Sequence, residues 1–240
     1  MFDTNYLISL ILSIPGVLLA LSVHECAHGW MSYKLGDPTA RNLGRLTLNP
    51  LKHLDPMGLI CMVLFHFGWA RPVPVNARYY KKPRRDMALV AAAGPISNLL
   101  MCIFGVLMLH IIYLFYSFSP NAFSFAFVWN AAYYGTSLEL DVLTKLVCIL
   151  FIFFKQFAVL NVSLAVFNLI PVPPLDGSRI AYIFLPAKLY FGLMRYERYI
   201  MMGLFFLIAI GGLNGYLSTV SGFFLDGIMW LVRLVPFFQF

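Results

Sequence analysis

Met87-Ala-Leu-Val-Ala-Ala-Ala-Gly-Pro-Ile-Ser-Asn-Leu-Leu-Met-Cys-Ile-Phe-Gly-Val-Leu-Met-Leu-His-Ile-Ile-Tyr-Leu-Phe-Tyr116 is predominantly apolar from end to end. A hydrocarbon core about 30 Å thick takes about 20 helical residues to cross, so this stretch alone can span a bilayer. Apolar stretches recur at Tyr6–Val23, Leu143–Phe167, Ile200–Leu213 and Val220–Val235. Of the 240 residues 61% are hydrophobic and only 11% charged, where soluble domains carry roughly a quarter charged residues. These features predict an all-α polytopic membrane protein with about five to six transmembrane helices. There is no internal repeat and no Ser- or Gly-rich linker, so residues 1–240 read as a single membrane-embedded domain.

The first apolar stretch lacks a basic start and a small-x-small cleavage site, so it reads as retained and not as a secretory signal. Cys26, Cys61, Cys102 and Cys148 lie scattered in apolar segments without C-x-x-C spacing, which predicts buried free thiols. The formal net charge of +7 is concentrated in Lys34–Lys52, Arg71–Arg85 and Lys188–Arg198, whereas Ser117–Asp141 has no Lys or Arg. This asymmetry follows the positive-inside rule for a multi-pass protein of the cell membrane. Topology accounts for the charge, and the bilayer, not nucleic acid, is the partner it indicates.

With the N-terminus outside, the first helix runs inward and brings residues 24–28 toward the cytoplasmic face. Pro56–Phe67 is apolar but only about a dozen residues long and flanked by basic loops, so it reads as a re-entrant or interfacial segment. In Gly68-Trp69-Ala70-Arg71-Pro72-Val73-Pro74-Val75-Asn76 the alternating prolines remove amide donors and favour an extended edge strand or hairpin. Ile200–Leu213 and Val220–Val235 read as a helical hairpin turning at Asn214-Gly215.

His24-Glu25-Cys26-Ala27-His28 places two imidazoles at i and i+4, on one face of a helix, at the separation that holds one zinc ion. Glu25 falls beside them, where it can take a proton from water made acidic by the metal. Ionisable groups inside an apolar segment are costly and point to function. A catalytic zinc takes three protein ligands, and Asp37, His53, Asp55, Asp176 and Asp226 compete for the third place. A ligand six residues after His28 is ruled out because position 34 is Lys. His53 and Asp55 lie in a polar loop that suits turn-capping. Asp176 lies in the Pro-broken stretch Asn168–Gly177 at the end of a membrane helix, where irregular backbone is tolerated only inside protein or beside a wet cavity. The other reading of Asp176 is an ordinary Asp-Gly turn.

The H-E-x-x-H of a first helix followed by Asn168-Leu-Ile-Pro171-Val-Pro173-Pro174-Leu-Asp176-Gly177 resembles the site-2 protease family of intramembrane zinc metalloproteases. Gly36–Ala40, Gly44–Pro50, Asp55-Pro56, Gly68–Asn76 and Gly94-Pro95-Ile96-Ser97-Asn98 resemble the small prokaryotic members without an inserted PDZ domain. The resemblance implies one zinc held by His24, His28 and Asp176, and Glu25 as general base. It implies that transmembrane proteins are the substrates, cut within or near their membrane segments. Asn168 matches the motif's leading Asn, with either a catalytic role toward the developing oxyanion or a helix-capping one. Gly68, Trp69, Pro72, Val73, Pro74, Val75 and Asn76 match the family's membrane-associated hairpin, whose backbone edge can add a locally unwound substrate as a strand. Asn98 is expected to hydrogen-bond to a neighbouring helix. The rival reading, a zinc or other cation transporter, explains the metal ligands but leaves Glu25 without a task.

Overall fold

A computed structural model of the chain describes residues 4–58, 70–134 and 140–238. Its elements, in chain order, are α1 (Thr4–Lys34), α2 (Thr39–Asn42), α3 (Pro83–Tyr116), α4 (Phe125–Tyr134), α5 (Val142–Asn168), α6 (Asp176–Ala181), α7 (Ala187–Arg195), α8 (Glu197–Ala209) and α9 (Asn214–Arg233). Among the described residues there is no β-strand; the one ladder contact is an isolated antiparallel bridge between Leu54 and Ala70.

Four helices are long and apolar enough to cross a membrane: Leu10–Lys34 of α1, then α3, α5 and α9. The expected count of five to six is thus met by four spans among the described residues. Ile200–Leu213 falls short because its helix, α8, is only 13 residues long; about 20 are needed. The turn before α9 lies at Ile210–Leu213, with Gly211 at φ +73°, a left-handed conformation that glycine adopts without a Cβ clash. Asn214 opens the next helix instead of turning the chain. The expected re-entrant segment, apart from Pro56–Gly58, lies outside the described residues, as do Gly68 and Trp69.

The helices present apolar side chains outward in a way no water-soluble helix sustains. On α3 alone Leu100, Phe104 and Phe115 are exposed, which suits contact with lipid tails. Prolines punctuate the ends. Pro83 starts α3, where its missing N–H costs nothing, and Asp86 in that first turn accepts from the Lys82 amide at 3.0 Å. After α5, Pro171, Pro173 and Pro174 cannot donate helical hydrogen bonds, and the helix stops at Asn168.

The chain divides into two compact units. In the unit formed by Met1–Val17, Leu100–Val162 and Ser221–Phe240, a core of Leu109, Tyr113, Tyr116, Phe125, Val128, Val147, Cys148 and Phe151 packs α3, α4 and α5 together. The Tyr116 hydroxyl meets Thr144 Oγ1 at 2.8 Å within it, so its polar tip is paired despite burial. Here too Lys155 of α5 lies 3.9 Å from the ring centre of Trp129, a cation–π contact. The unit formed by Leu18–Leu99 and Ser163–Val220 carries the H-E-x-x-H motif. Cys26, Cys102 and Cys148 are free thiols, Cys26 half-buried and the other two buried; Cys61 lies outside the described residues.

Candidate active site

The half of α1 after Leu18 is continuous helix through Lys34, so His24 and His28 stand one turn apart on the same face. Their rings meet edge to face with centroids 4.6 Å apart, and the two Nε2 atoms are 3.0 Å apart. Asp176 comes to the same point from the first turn of α6, its Oδ2 lying 3.3 Å from His24 Nε2 and 3.2 Å from His28 Nε2. Among the described residues these are the His, Cys, Asp or Glu side chains grouped closely enough to hold a metal ion.

Two close approaches make this convergence possible. Gly94 of α3 lies against the imidazoles: a Cβ there would come within 2.5 Å of His24 Cε1 and of both Cε1 and Nε2 of His28. Gly177, next to Asp176, lies against the Leu169 and Ile170 carbonyls, which a Cβ would strike. The break after α5 therefore folds tightly back on itself and sets Asp176 at the histidines' depth.

The outer nitrogens of both rings are engaged. His24 Nδ1 donates to Asn98 Oδ1 at 2.6 Å, and His28 Nδ1 donates to the Val90 carbonyl at 2.7 Å. With the proton on Nδ1, each Nε2 turns a lone pair inward. Two such lone pairs and the buried Asp176 Oδ2, which accepts no hydrogen bond among the described residues, face one another within about 3 Å. Three electron-rich atoms so placed repel unless they share a cation, and two imidazoles with one carboxylate are a ligand set suited to zinc. The residues present fit a metal ion.

The competing candidates are occupied elsewhere. Asp37, fully buried, accepts at Oδ1 from the Thr39 amide (2.9 Å) and hydroxyl, and at Oδ2 from the Ser32 hydroxyl (2.8 Å) and the Asn76 amide (2.7 Å). Burial pushes its carboxyl up, but these hydrogen bonds outweigh that and hold it below the usual carboxylate range. His53 Nε2 meets the Thr47 carbonyl at 2.7 Å, and Asp55 Oδ1 accepts from the Gly58 amide at 2.9 Å, the turn-capping expected of that loop. Asp226 is exposed on α9.

Glu25 is half-buried and its Oε2 accepts from the Val73 amide at 2.8 Å. This bond replaces the ladder expected of the Pro-rich stretch. The segment leaves Leu54↔Ala70 with the Arg71 amide donating to the His53 carbonyl at 2.7 Å. Thereafter side chains satisfy its backbone: Arg45 Nη2 donates to the carbonyls of Arg71 (2.7 Å) and Pro72 (3.3 Å), Glu25 takes Val73, and Asp37 takes Asn76. The result is main chain held by side chains, with no partner strand among the described residues.

Asn168 Nδ2 donates to the Leu164 carbonyl at 3.0 Å, closing the last turn of α5. Of its two expected roles this is the capping one. Asn98 does bridge two helices as expected, yet its partner is the ligand-group histidine, which its place four residues after Gly94 did not reveal.

Residues 12–210 match the family model for peptidase family M50. The chain is 42% identical over 164 residues to the Bacillus subtilis protein named "Putative zinc metalloprotease YwhC", an alignment covering 68% of this chain and 64% of that protein. It is 30% identical over 177 residues to the Mycolicibacterium smegmatis protein named "Putative zinc metalloprotease Rip2", covering 72% and 57%. To the Mycobacterium tuberculosis protein of the same name it is 27% identical over 173 residues, covering 70% and 54%. The chain thus spans between about half and two thirds of the length of these relatives. No solved structure is significantly similar to it.

Proposed function

Because the chain belongs to peptidase family M50, we propose that it is a zinc metalloprotease of the site-2 protease type, which hydrolyses peptide bonds within or near membrane-spanning segments of other proteins. The observation that carries this reading is the meeting of His24 Nε2, His28 Nε2 and Asp176 Oδ2 at one point, with Glu25 next to His24 in the sequence. The first three would hold the ion. Bound zinc supplies Lewis-acid polarisation of the scissile carbonyl and acidifies water to a pKa of about 7.

The remaining work falls to the chain's own side chains. Glu25 accepts the proton of the attacking water and delivers it to the departing amine, so one carboxylate serves as base and then as acid. The Val73 amide holds Oε2, which leaves Oε1 to face the water. Asn98 and the Val90 carbonyl hold the two imidazoles in the tautomer that offers Nε2 to a metal. Asn168 would have to leave the Leu164 carbonyl to reach an oxyanion, so we assign it to the helix end.

A transmembrane substrate must unwind locally before it is cut, and the extended backbone at Pro72–Asn76, beside Glu25, is the stretch we assign to receive it. The basic loops at Lys34–Lys52, Arg71–Arg85 and Lys188–Arg198 support a multi-pass protein of the cell membrane whose site lies near the cytoplasmic face. Cation transport would leave Glu25 idle.

Glu25→Gln keeps the shape of the side chain and removes its basicity. The purified variant is expected to hold one zinc per chain and to lose cleavage of a single-span reporter protein that the wild type cuts. Undiminished cleavage would sink the assignment, and zinc uptake into proteoliposomes without proteolysis would favour transport.

A further inference from the structure

Arg45 is 8% exposed, yet it forms no salt bridge among the described residues. Burying a guanidinium is costly, so its placement needs an account. Its Nη2 is spent on two consecutive main-chain carbonyls, Arg71 at 2.7 Å and Pro72 at 3.3 Å, and its Nε is buried without a partner. Those carbonyls immediately precede the one amide in the segment that reaches Glu25, from Val73 at 2.8 Å.

The segment is otherwise poor in means of holding itself. Pro72 and Pro74 have no N–H, and beyond Ala70 no strand lies beside it among the described residues. Two buried charges replace the ladder: Arg45 takes the carbonyls at its start, and Asp37 takes the Asn76 amide at its end. Between them Val73 is buried over Gly29 of α1, where a Cβ would come within 3.0 Å of Val73 Cγ1. The backbone amide of Val73 is thereby held on the Glu25 carboxylate, which lies between His24 and His28 in the sequence.

We propose that Arg45 is a positioning residue for the general base, its guanidinium fixing the Arg71 and Pro72 carbonyls so that the Val73 amide holds Glu25 Oε2. The inference rests on the reading of Glu25 as that base. Arg45 touches neither metal nor substrate; it acts through three residues of main chain. A lysine has a single ammonium on a flexible stem in place of a rigid fork, and so substitutes only in part.

Three variants of the full-length protein test this: Arg45→Met, Arg45→Lys and Val73→Pro, the last deleting the amide hydrogen between two residues that are already proline. Each is purified in detergent, its zinc per chain measured, and kcat and KM determined on a single-span reporter that the wild type cuts. Arg45→Met and Val73→Pro are each expected to lower kcat about 100-fold, the cost of a misplacement near 1 Å, with zinc content unchanged and with any rise in KM, from the segment's part in receiving substrate, coming in addition to that loss. Arg45→Lys should fall between. Because both act through one bond, the double variant should be no slower than the slower single variant. A KM that rises with kcat intact assigns the segment to substrate binding alone and overturns the proposal, as does a double variant in which the two losses multiply. Should Arg45→Met lose zinc, Val73→Pro decides by the same kcat criterion. If Glu25→Gln retains cleavage, it is the reading of the base that fails; if Glu25→Gln is inactive while Arg45→Met and Val73→Pro match the wild type, only the present inference does.

Discussion

Asn98 Oδ1 accepts a hydrogen bond from His24 Nδ1, which keeps the proton there and leaves the Nε2 lone pair to face the site. Alanine at this position removes the acceptor without adding bulk, so His24 is released to rotate and to change tautomer. Partners of metal-ligating histidines typically contribute 10–100-fold in metal affinity. Asn98→Ala is expected to weaken zinc binding by about that factor, as read by competition with a chromogenic chelator; an unchanged affinity would show that the bond orients nothing.

At Asp37 the four hydrogen bonds all favour the ionised carboxylate. Its pKa is depressed on folding, so it contributes stability that is present above the unfolded value near 4 and is lost as pH falls through the lower folded value. Asp37→Asn puts an amide where donors converge, and we expect a loss of about 1–3 kcal/mol. Thermal unfolding of wild type and variant should differ at pH 7 and converge as pH falls through the depressed folded value of Asp37. Asp37 had been a candidate ligand by residue type alone. No pattern in the sequence distinguishes a carboxylate that binds metal from one that ties down a loop, because both need only burial and converging positive partners.

Among the elements, α3 owes its place beside the site to a residue with no side chain. The Gly94 Cα is so close to both imidazoles that Gly94→Ala must displace His24, His28 or the helix itself. The variant is expected to fold, since α3 is otherwise long and apolar, and to bind zinc at least tenfold more weakly than wild type by equilibrium dialysis. Much at this scale was legible in advance. The i, i+4 histidines needed only helical geometry, and the prolines after Asn168 announced the end of α5. Asp176 was favoured for the same reason, its place in backbone broken at membrane depth. The Gly68–Asn76 stretch was expected to be an extended edge strand or hairpin; among its described residues there is no strand, and side chains hold its backbone. Its partners Arg45, Glu25 and Asp37 are distant in sequence, and nothing local marks a guanidinium that bonds to carbonyls.

For the molecule as a whole, hydropathy pointed to the four helices long and apolar enough to cross a membrane and also to Ile200–Leu213, whose helix is only 13 residues long. What hydropathy cannot carry is the long-range return of α6 to α1. His28 and Asp176 stand 148 positions apart, and an ion binding both would close a chain loop of that size. An ion bound by the folded chain and released by the unfolded one stabilises the fold through its binding free energy. The proposed zinc would then be a clasp as well as a reagent. Removing it with a chelator is expected to lower the unfolding temperature of the Glu25→Gln variant as much as that of the wild type, which differential scanning calorimetry would register without any turnover. If the proposed function holds, a fold fastened by the ion it uses for chemistry would, on losing that ion, open to attack by other proteases.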